Sequence, residues 1–244
     1  MNANFSGQRT SQRLDLHWTV WLSLFFVCAG YVEAQAAPQE YRLALDKIAD
    51  GQSPESWIAA ATHASGPLAQ WRVMADAAPG RAKVLTIAHL KETSPSVFNL
   101  YWTKQIAFQN GELKVRMRAN SGSIDQGGGL IWRVQDENNY YVARYNPLEN
   151  NFRLYYVKEG ARTTLASAEG LTAVPGEWVE LRVAQHGPQI RGWYNNTLAW
   201  EINDAQSPKA GGVGLWTKAD AASSFADFAV RVVPVKYLKR FGNE

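Results

Sequence analysis

The chain has 244 residues, with 25 Lys and Arg against 22 Asp and Glu, a net charge of +3 and a single cysteine, Cys28. So mild a charge, with no Lys/Arg-rich run, gives no footing to a nucleic-acid partner. One cysteine rules out a disulfide framework and a multi-cysteine metal site.

At the N-terminus, Arg9 and Arg13 precede a short apolar run, Trp18–Gly30, and Ala34-Gln35-Ala36 forms an A-x-A cleavage site. That order is the pattern of a secretory signal peptide, and the run is short for a bilayer span. Residues 1–36 are expected to be removed, leaving 37–244 as one exported domain, periplasmic or extracellular, without membrane contact. The alternative is an uncleaved membrane anchor. Lipidation at Cys28 is rejected, because Phe25-Phe26-Val27 lacks the small residue such a site wants. Cleavage removes Cys28, and with it any cysteine nucleophile. It also removes two bases (Arg9, Arg13) and two acids (Asp15, Glu33), so the charge stays at +3. The mature chain must then be held by its core alone, which a domain of this size can manage.

Residues 39–75 carry a weak pattern. Asp46–Asp50 reads as a short helical turn, and Trp57 and Trp71 are expected to cover a sandwich edge. From Val84 onward the period is two, the signature of half-buried strands. Strands are predicted at Val97–Trp102, Glu112–Arg118, Leu130–Gln135, Tyr140–Tyr145, Phe152–Val157, Trp178–Ala184, Ile190–Tyr194, Thr197–Ile202, Val213–Trp216 and Phe225–Val232. Turn clusters such as "DENN", "NPLENN", "HGP" and "SPKAGG" separate them. Short strands with turns at near-regular spacing predict an all-β sandwich or barrel of antiparallel sheets.

Alternation sorts the faces of the hairpin from Asp125 to Asn146. A four-residue loop, "DENN", sets Gln135 opposite Tyr140. Leu130, Trp132, Val134, Tyr141, Ala143 and Tyr145 then form the core side, continued by Phe152, Leu154 and Tyr156. The outer side carries Ile131, Arg133, Gln135, Tyr140, Val142 and Arg144, continued by Arg153, Tyr155 and Val157. The expected rows are Ile131–Arg144–Arg153 and Arg133–Val142–Tyr155. Clustered guanidiniums repel, which an anionic or hydroxyl-rich ligand, or a loop acid, would offset. One reading is a solvated face on which arginine keeps the sheet soluble. The other is a shallow glycan groove in which Arg133, Tyr140, Arg144, Arg153 and Tyr155 contact the sugar, since planar donors beside flat rings suit hydroxyls.

Hydrolytic chemistry finds little support. A glycosidase needs two carboxyl groups facing one cleft, and Glu177 with Glu180, like Glu201 with Asp204, alternate to opposite faces. No serine sits in a G-x-S-x-G elbow. The mature histidines are His63, His89 and His186, the last reading as a turn residue. Lys218 and Asp220 follow a strand, either as a surface pair bounding a loop or as a site at the groove mouth. Asp227 alone is too little for a metal site, so neither metal nor cofactor is expected. The sequon at Asn195 falls on a predicted hairpin turn, which is the simpler reason for its residues.

Three segments, "GGGLIWRVQDENNYYVARYNPLENNFRLYYVKEGARTTLA", "PGEWVELRV" and "AGGVGLWTKADAASSFADF", resemble a bacterial exported family. It comprises concanavalin A-like, laminin-G-like proteins grouped with the 3-keto-disaccharide hydrolase domain and often labelled family-16 glycoside hydrolases. The likeness spans roughly Gln52 to Val232. It implies a jelly-roll sandwich of two antiparallel sheets, one concave, associated with glycans. The E-x-D-x-x-E strand of true family-16 hydrolases is absent, and the closing "FDDF" of the group reads "FADF", with Ala226 in place of the first acid. Three functions follow. The first is an exported protein that holds a polysaccharide or glycoconjugate on its concave sheet without cleaving it. The second is a hydrolase or lyase of 3-keto-glycosides, in which the keto group acidifies the neighbouring C–H so that one modest base suffices. The third is an envelope protein-interaction module.

Overall fold

The computed structural model describes Met1 and residues 37–76, 83–87, 94–172, 174 and 176–234. The expected leader beyond Met1, and His89, lie outside the described residues.

Among the described residues fifteen strands form two antiparallel sheets. In chain order they are β1 (Gln39–Arg42), β2 (Ile58–Thr62), β3 (Trp71–Ala75), β4 (Lys83–Ile87), β5 (Phe98–Phe108), β6 (Gly111–Ser121), β7 (Gly128–Asp136), β8 (Asn139–Asn146), β9 (Asn151–Lys158), β10 (Ala161–Glu169), β11 (Val179–His186), β12 (Gln189–Tyr194), β13 (Thr197–Asn203), β14 (Gly211–Lys218) and β15 (Ala222–Val232). Sheet one runs β13-β12-β11-β6-β15-β4-β3, with β1 also paired to β15; sheet two runs β10-β9-β8-β7-β14-β5-β2. This is the antiparallel two-sheet sandwich that the alternation allows, and the jelly roll that the resemblance implies. No helix among the described residues is long and apolar enough to cross a membrane.

All ten predicted strands are present. Five more were not legible from the pattern. β10 is an edge strand with mostly exposed or half-buried residues, so it lacks an apolar alternation. β1 to β4 are short pieces in the N-terminal stretch, joined there by one 3-10 turn, Leu45–Lys47, near the expected helical turn. Trp57 and Trp71 are not edge covers. Both belong to the core between the sheets, where Trp71 stacks on Tyr101 at 5.2 Å. The sequon asparagine, Asn195, and Asn196 form the β12–β13 turn with φ of 45° and 67°. That is the left-handed pair a two-residue hairpin demands, and asparagine tolerates it well.

The inter-sheet core follows the predicted parity: Leu130, Trp132, Tyr141, Ala143, Tyr145, Phe152, Leu154 and Tyr156 are all buried in it. The hairpin from Asp125 to Asn146 nevertheless differs from expectation in register. Its turn has two residues, Glu137 and Asn138, between the paired Asp136 and Asn139. A β-bulge then slips the pairing by two residues, so that Ile131, not Arg133, lies opposite Val142, and Gly129 lies opposite Arg144. Arg133 is the bulged residue, with φ of +49°. A bulge re-aims the side chains beyond it, and Val134 accordingly packs on the outer face and not with Trp132.

The outer face of sheet two is not wet. Phe98, Leu100, Trp102, Ile131, Tyr140, Val142, Tyr155, Val157 and Trp216 form a second buried cluster there. One reason is that the sheet cups over this face. Thr62, at the end of edge strand β2, donates to the carbonyl of Glu137 in the β7–β8 turn and bonds Tyr140 Oη at 2.8 Å. His63 Nε2 meets the carbonyl of Gly160 in the β9–β10 turn at 3.1 Å. Arg162 of β10 lies over the Phe98 ring of β5 at 5.0 Å. Strands that are far apart in the sheet thus touch across its outer side, and that side is concave.

Candidate functional site

The polar end of this cup is organised around the β14–β15 turn. Asp220 there is buried, and its carboxylate accepts the backbone N–H groups of Ser123, Ile124 and Asp125 at 2.7 to 3.1 Å, plus the Ser123 hydroxyl at 2.8 Å. Burial alone would raise its pKa. The N–H groups of Ser123, Asp125 and Ile124 and the Ser123 hydroxyl outweigh burial and hold it at about 2. Four donors on one carboxylate pin the β6–β7 loop to β14.

That loop delivers Asp125. Its carboxylate accepts Lys218 Nζ at 2.9 Å, the Gly127 N–H at 2.6 Å and Asn146 Nδ2 at 3.0 Å. Lys218 and Asp220 are therefore not a pair; each has its own partner. Asn146 hands the chain on to Glu149 Oε1 at 3.1 Å. Glu149 takes Arg144 in a bidentate contact of 3.1 and 3.0 Å, and Arg153 Nη1 at 3.1 Å. Arg144 holds the Glu149 carboxyl at about 2 despite its partial burial, with further help from Asn151 and Arg153. Arg144 Nη2 also donates to Tyr155 Oη at 2.8 Å, and Arg153 reaches Glu169 at 3.0 Å.

A continuous network thus runs from Asp220 to Glu169. It brings together Arg144, Arg153, Tyr155, Lys218 and Asp220, five of the seven residues expected to form a site. Loop acids supply the offset for the clustered guanidiniums, and sequence alternation could not show this because Glu149 sits in a turn. Arg144 is 1 % exposed, so the expected solvated side of the hairpin is a buried, paired position. The triple glycine has its reason here. A Cβ on Gly127 would lie 2.6 Å from Arg144 Cδ, and one on Gly129 would strike the Ala143 carbonyl.

Two expected residues lie apart from this network. Arg133 is buried, and its guanidinium donates to the carbonyls of Gln109, Ser207 and Gly187, tying three loops together. The bulge, invisible to alternation, turned it there. Tyr140 is buried deeper in the cup, between Thr62 and Trp216 Nε1, and burial raises its pKa.

Sequence reasoning missed Arg162, because β10 itself was missed. Its guanidinium lies 4.3 Å over the Tyr155 ring. Arg162 Nη1, Trp102 Nε1 and Arg144 Nε are buried without an acceptor among the described residues. All three belong to the concave face. Among the described residues no group of three or more His, Cys, Asp or Glu side chains could hold a metal ion.

Residues 45–231 match the family described as the 3-keto-alpha-glucoside-1,2-lyase-like domain. No curated protein matches the chain. Among solved structures, the fold is similar to carbohydrate binding module CBM66 from Bacillus subtilis, with a TM-score of 0.55 and 14% identity over 72% of this chain and 95% of that one. It is similar to a Bacillus subtilis protein of unknown function with a galectin-like fold, with a TM-score of 0.54 and 12% identity over 82% and 99% of the two chains. It is also similar to the cellulose induced protein Cip1, with a TM-score of 0.51 and 15% identity over 75% and 93%. At such identities the likeness is one of fold.

Proposed function

The chain belongs to the 3-keto-alpha-glucoside-1,2-lyase-like domain family, and on that premise we propose that it binds carbohydrate on the concave face of sheet two. The observation that carries this reading is the gathering of the Arg144 and Arg162 guanidiniums over the Tyr155 and Phe98 rings of that face, with Arg153 and Lys218 at its polar end. A sugar offers hydroxyl and ring oxygens to guanidinium and ammonium donors beside a face that suits aromatic contact. The half-exposed cations at the polar end, Arg153 and Lys218, would meet the glycan first, with Arg162, Arg144 and Tyr155 behind them. Similarity to a carbohydrate binding module of the same fold supports the reading. The protein so proposed is exported, and an N-terminus at Ala37 in secreted material is the expected sign.

A glycan-array screen followed by calorimetric titration tests it. The double variant Arg162→Ala with Lys218→Ala should lose at least tenfold in affinity, about 1.4 kcal/mol, with the fold intact. Unchanged binding by the folded variant would refute the site.

Cleavage of a 3-keto-glycoside is the second reading, drawn from the family's description. Glu149 and Asp220 are held at about 2 and are poor proton acceptors near neutrality. His63, whose Nε2 meets the Gly160 carbonyl at the closure of the cup, is the imidazole placed to act as such a base. Release of sugar from a 3-keto-glucoside by the wild type but not by His63→Ala would favour catalysis over binding alone.

A further inference from the structure

The outer face of sheet one carries a different arrangement. The register places Trp193, Arg182, Lys114, Ala229 and Arg42 in one row from β12 to β1. Glu180, Arg116 and Ala226 form the next row. Several cations of this sheet are paired: Arg118 with Asp76, Arg182 with Glu112, Arg191 with Glu201 and Lys83 with Asp50. Arg42, Lys114 and Arg116 make no hydrogen bond or ion pair among the described residues. Yet these three line one open cavity of about 600 Å³. Arg42 and Lys114 extend into an adjoining depression over Ala229. The groove exists because Ala226 and Ala229 end at one carbon between long neighbours.

We propose that this groove is a second binding site, which takes an acidic oligosaccharide whose residues carry both carboxylates and hydroxyls. Among the described residues four cations, Arg42, Lys83, Lys114 and Arg116, line this cavity against three acids, and a ligand carboxylate seated beside Arg42, Lys114 and Arg116 gains from that local excess of positive charge. The guanidiniums of Arg42 and Arg116 can each grip a carboxylate with two parallel bonds. Asp46, Glu180 and Asp227 also line the cavity. The carboxylates of Asp46 and Glu180 can accept hydroxyl hydrogens from a sugar but repel a ligand that is all anion, such as a nucleic acid. The volume lies within the roughly 300–1,000 Å³ of ordinary ligand sites. Further along the same row, two strands from Lys114, Trp193 is half-buried under Arg182 at 3.8 Å.

A short oligogalacturonate titrated into the folded protein tests this, with a neutral glucan oligomer and a short DNA duplex as parallel ligands. The uronate should bind, weaken as salt is raised, and lose at least tenfold in the Lys114→Ala, Arg116→Ala double variant. The duplex should not compete. The Arg162→Ala, Lys218→Ala variant should bind the uronate like the wild type, so that failure of the sheet-two reading leaves this one standing. No uronate binding, unchanged binding by the folded Lys114/Arg116 variant, equal binding of the duplex, or loss in the Arg162/Lys218 variant would each overturn the proposal.

Discussion

Trp132 and Arg133 are neighbours in sequence and both are buried, by unrelated means. Trp132 lies between the sheets, stacked on Tyr141 at 5.5 Å and donating to Gln185 Oε1 at 2.6 Å. Arg133, turned by a φ of +49°, spends its guanidinium on three loop carbonyls. Trp132→Ala should therefore destabilise by about 3–5 kcal/mol, the usual loss for a large buried ring. Urea unfolding would measure it, and a loss below about 1 kcal/mol would contradict the packing.

Arg133→Ala should be nearly as damaging. It strips a donor from the carbonyls of Gln109, Ser207 and Gly187, and each polar group left unsatisfied in a buried place costs about 1–3 kcal/mol. Arg133→Lys should recover little, because one ammonium cannot reproduce the planar fork. A neutral Arg133→Ala in the same urea series would return this residue to the surface.

Asp220 and Glu149 make the fold sensitive to acid. Both folded-state pKa values, about 2, lie below the ordinary carboxyl range. Their stabilisation is complete above the unfolded values and is lost as pH falls from roughly 5 towards 2. Thermal unfolding across that window should show a steep fall in Tm for the wild type. Asp220→Asn, which no longer titrates, should start lower and fall less. Parallel curves for the two proteins would show that Asp220 does not carry the effect.

Arg144 and Arg153 share Glu149 but should respond differently. Arg144 is enclosed and bidentate, so Arg144→Ala leaves Glu149 without its main partner. Its carboxyl should move up towards the ordinary value of about 4.3, as read by carboxyl NMR titration. Arg153, half-exposed and screened by solvent, should shift it much less and alter stability by under about 1 kcal/mol on removal. Equal shifts in the two variants would show that Arg144 is not the dominant partner.

Gly127→Ala tests the close approach at the loop. Its Cβ would lie 2.6 Å from Arg144 Cδ and 2.7 Å from Asp125 Oδ1. The variant should displace Arg144 and raise the Glu149 carboxyl in the same direction as Arg144→Ala. An unmoved Glu149 titration would mean that Arg144 adjusts freely.

Within the sequence itself lay the two-sheet architecture, ten of the strands, and the parity that puts Trp132, Tyr141, Phe152 and Leu154 in the core. Period-two alternation is a local signal, repeated every few residues, and a half-buried strand writes it directly. The Asn195–Asn196 turn was legible for the same reason, since its backbone need is met by its own residues. Only tertiary structure decided that the arginine side of sheet two is concave and closed. That depended on Thr62 and His63 meeting turns that lie some 75 and 97 positions further along the chain. It also decided the fate of Arg133, because a single bulged residue changes the facing of a side chain without changing the composition of the strand. The pairing of Arg144 with Glu149, and of Lys218 with Asp125, follows from loops brought together by sheet order. No local periodicity encodes a contact between one loop and another, since such contacts form only after both sheets have closed.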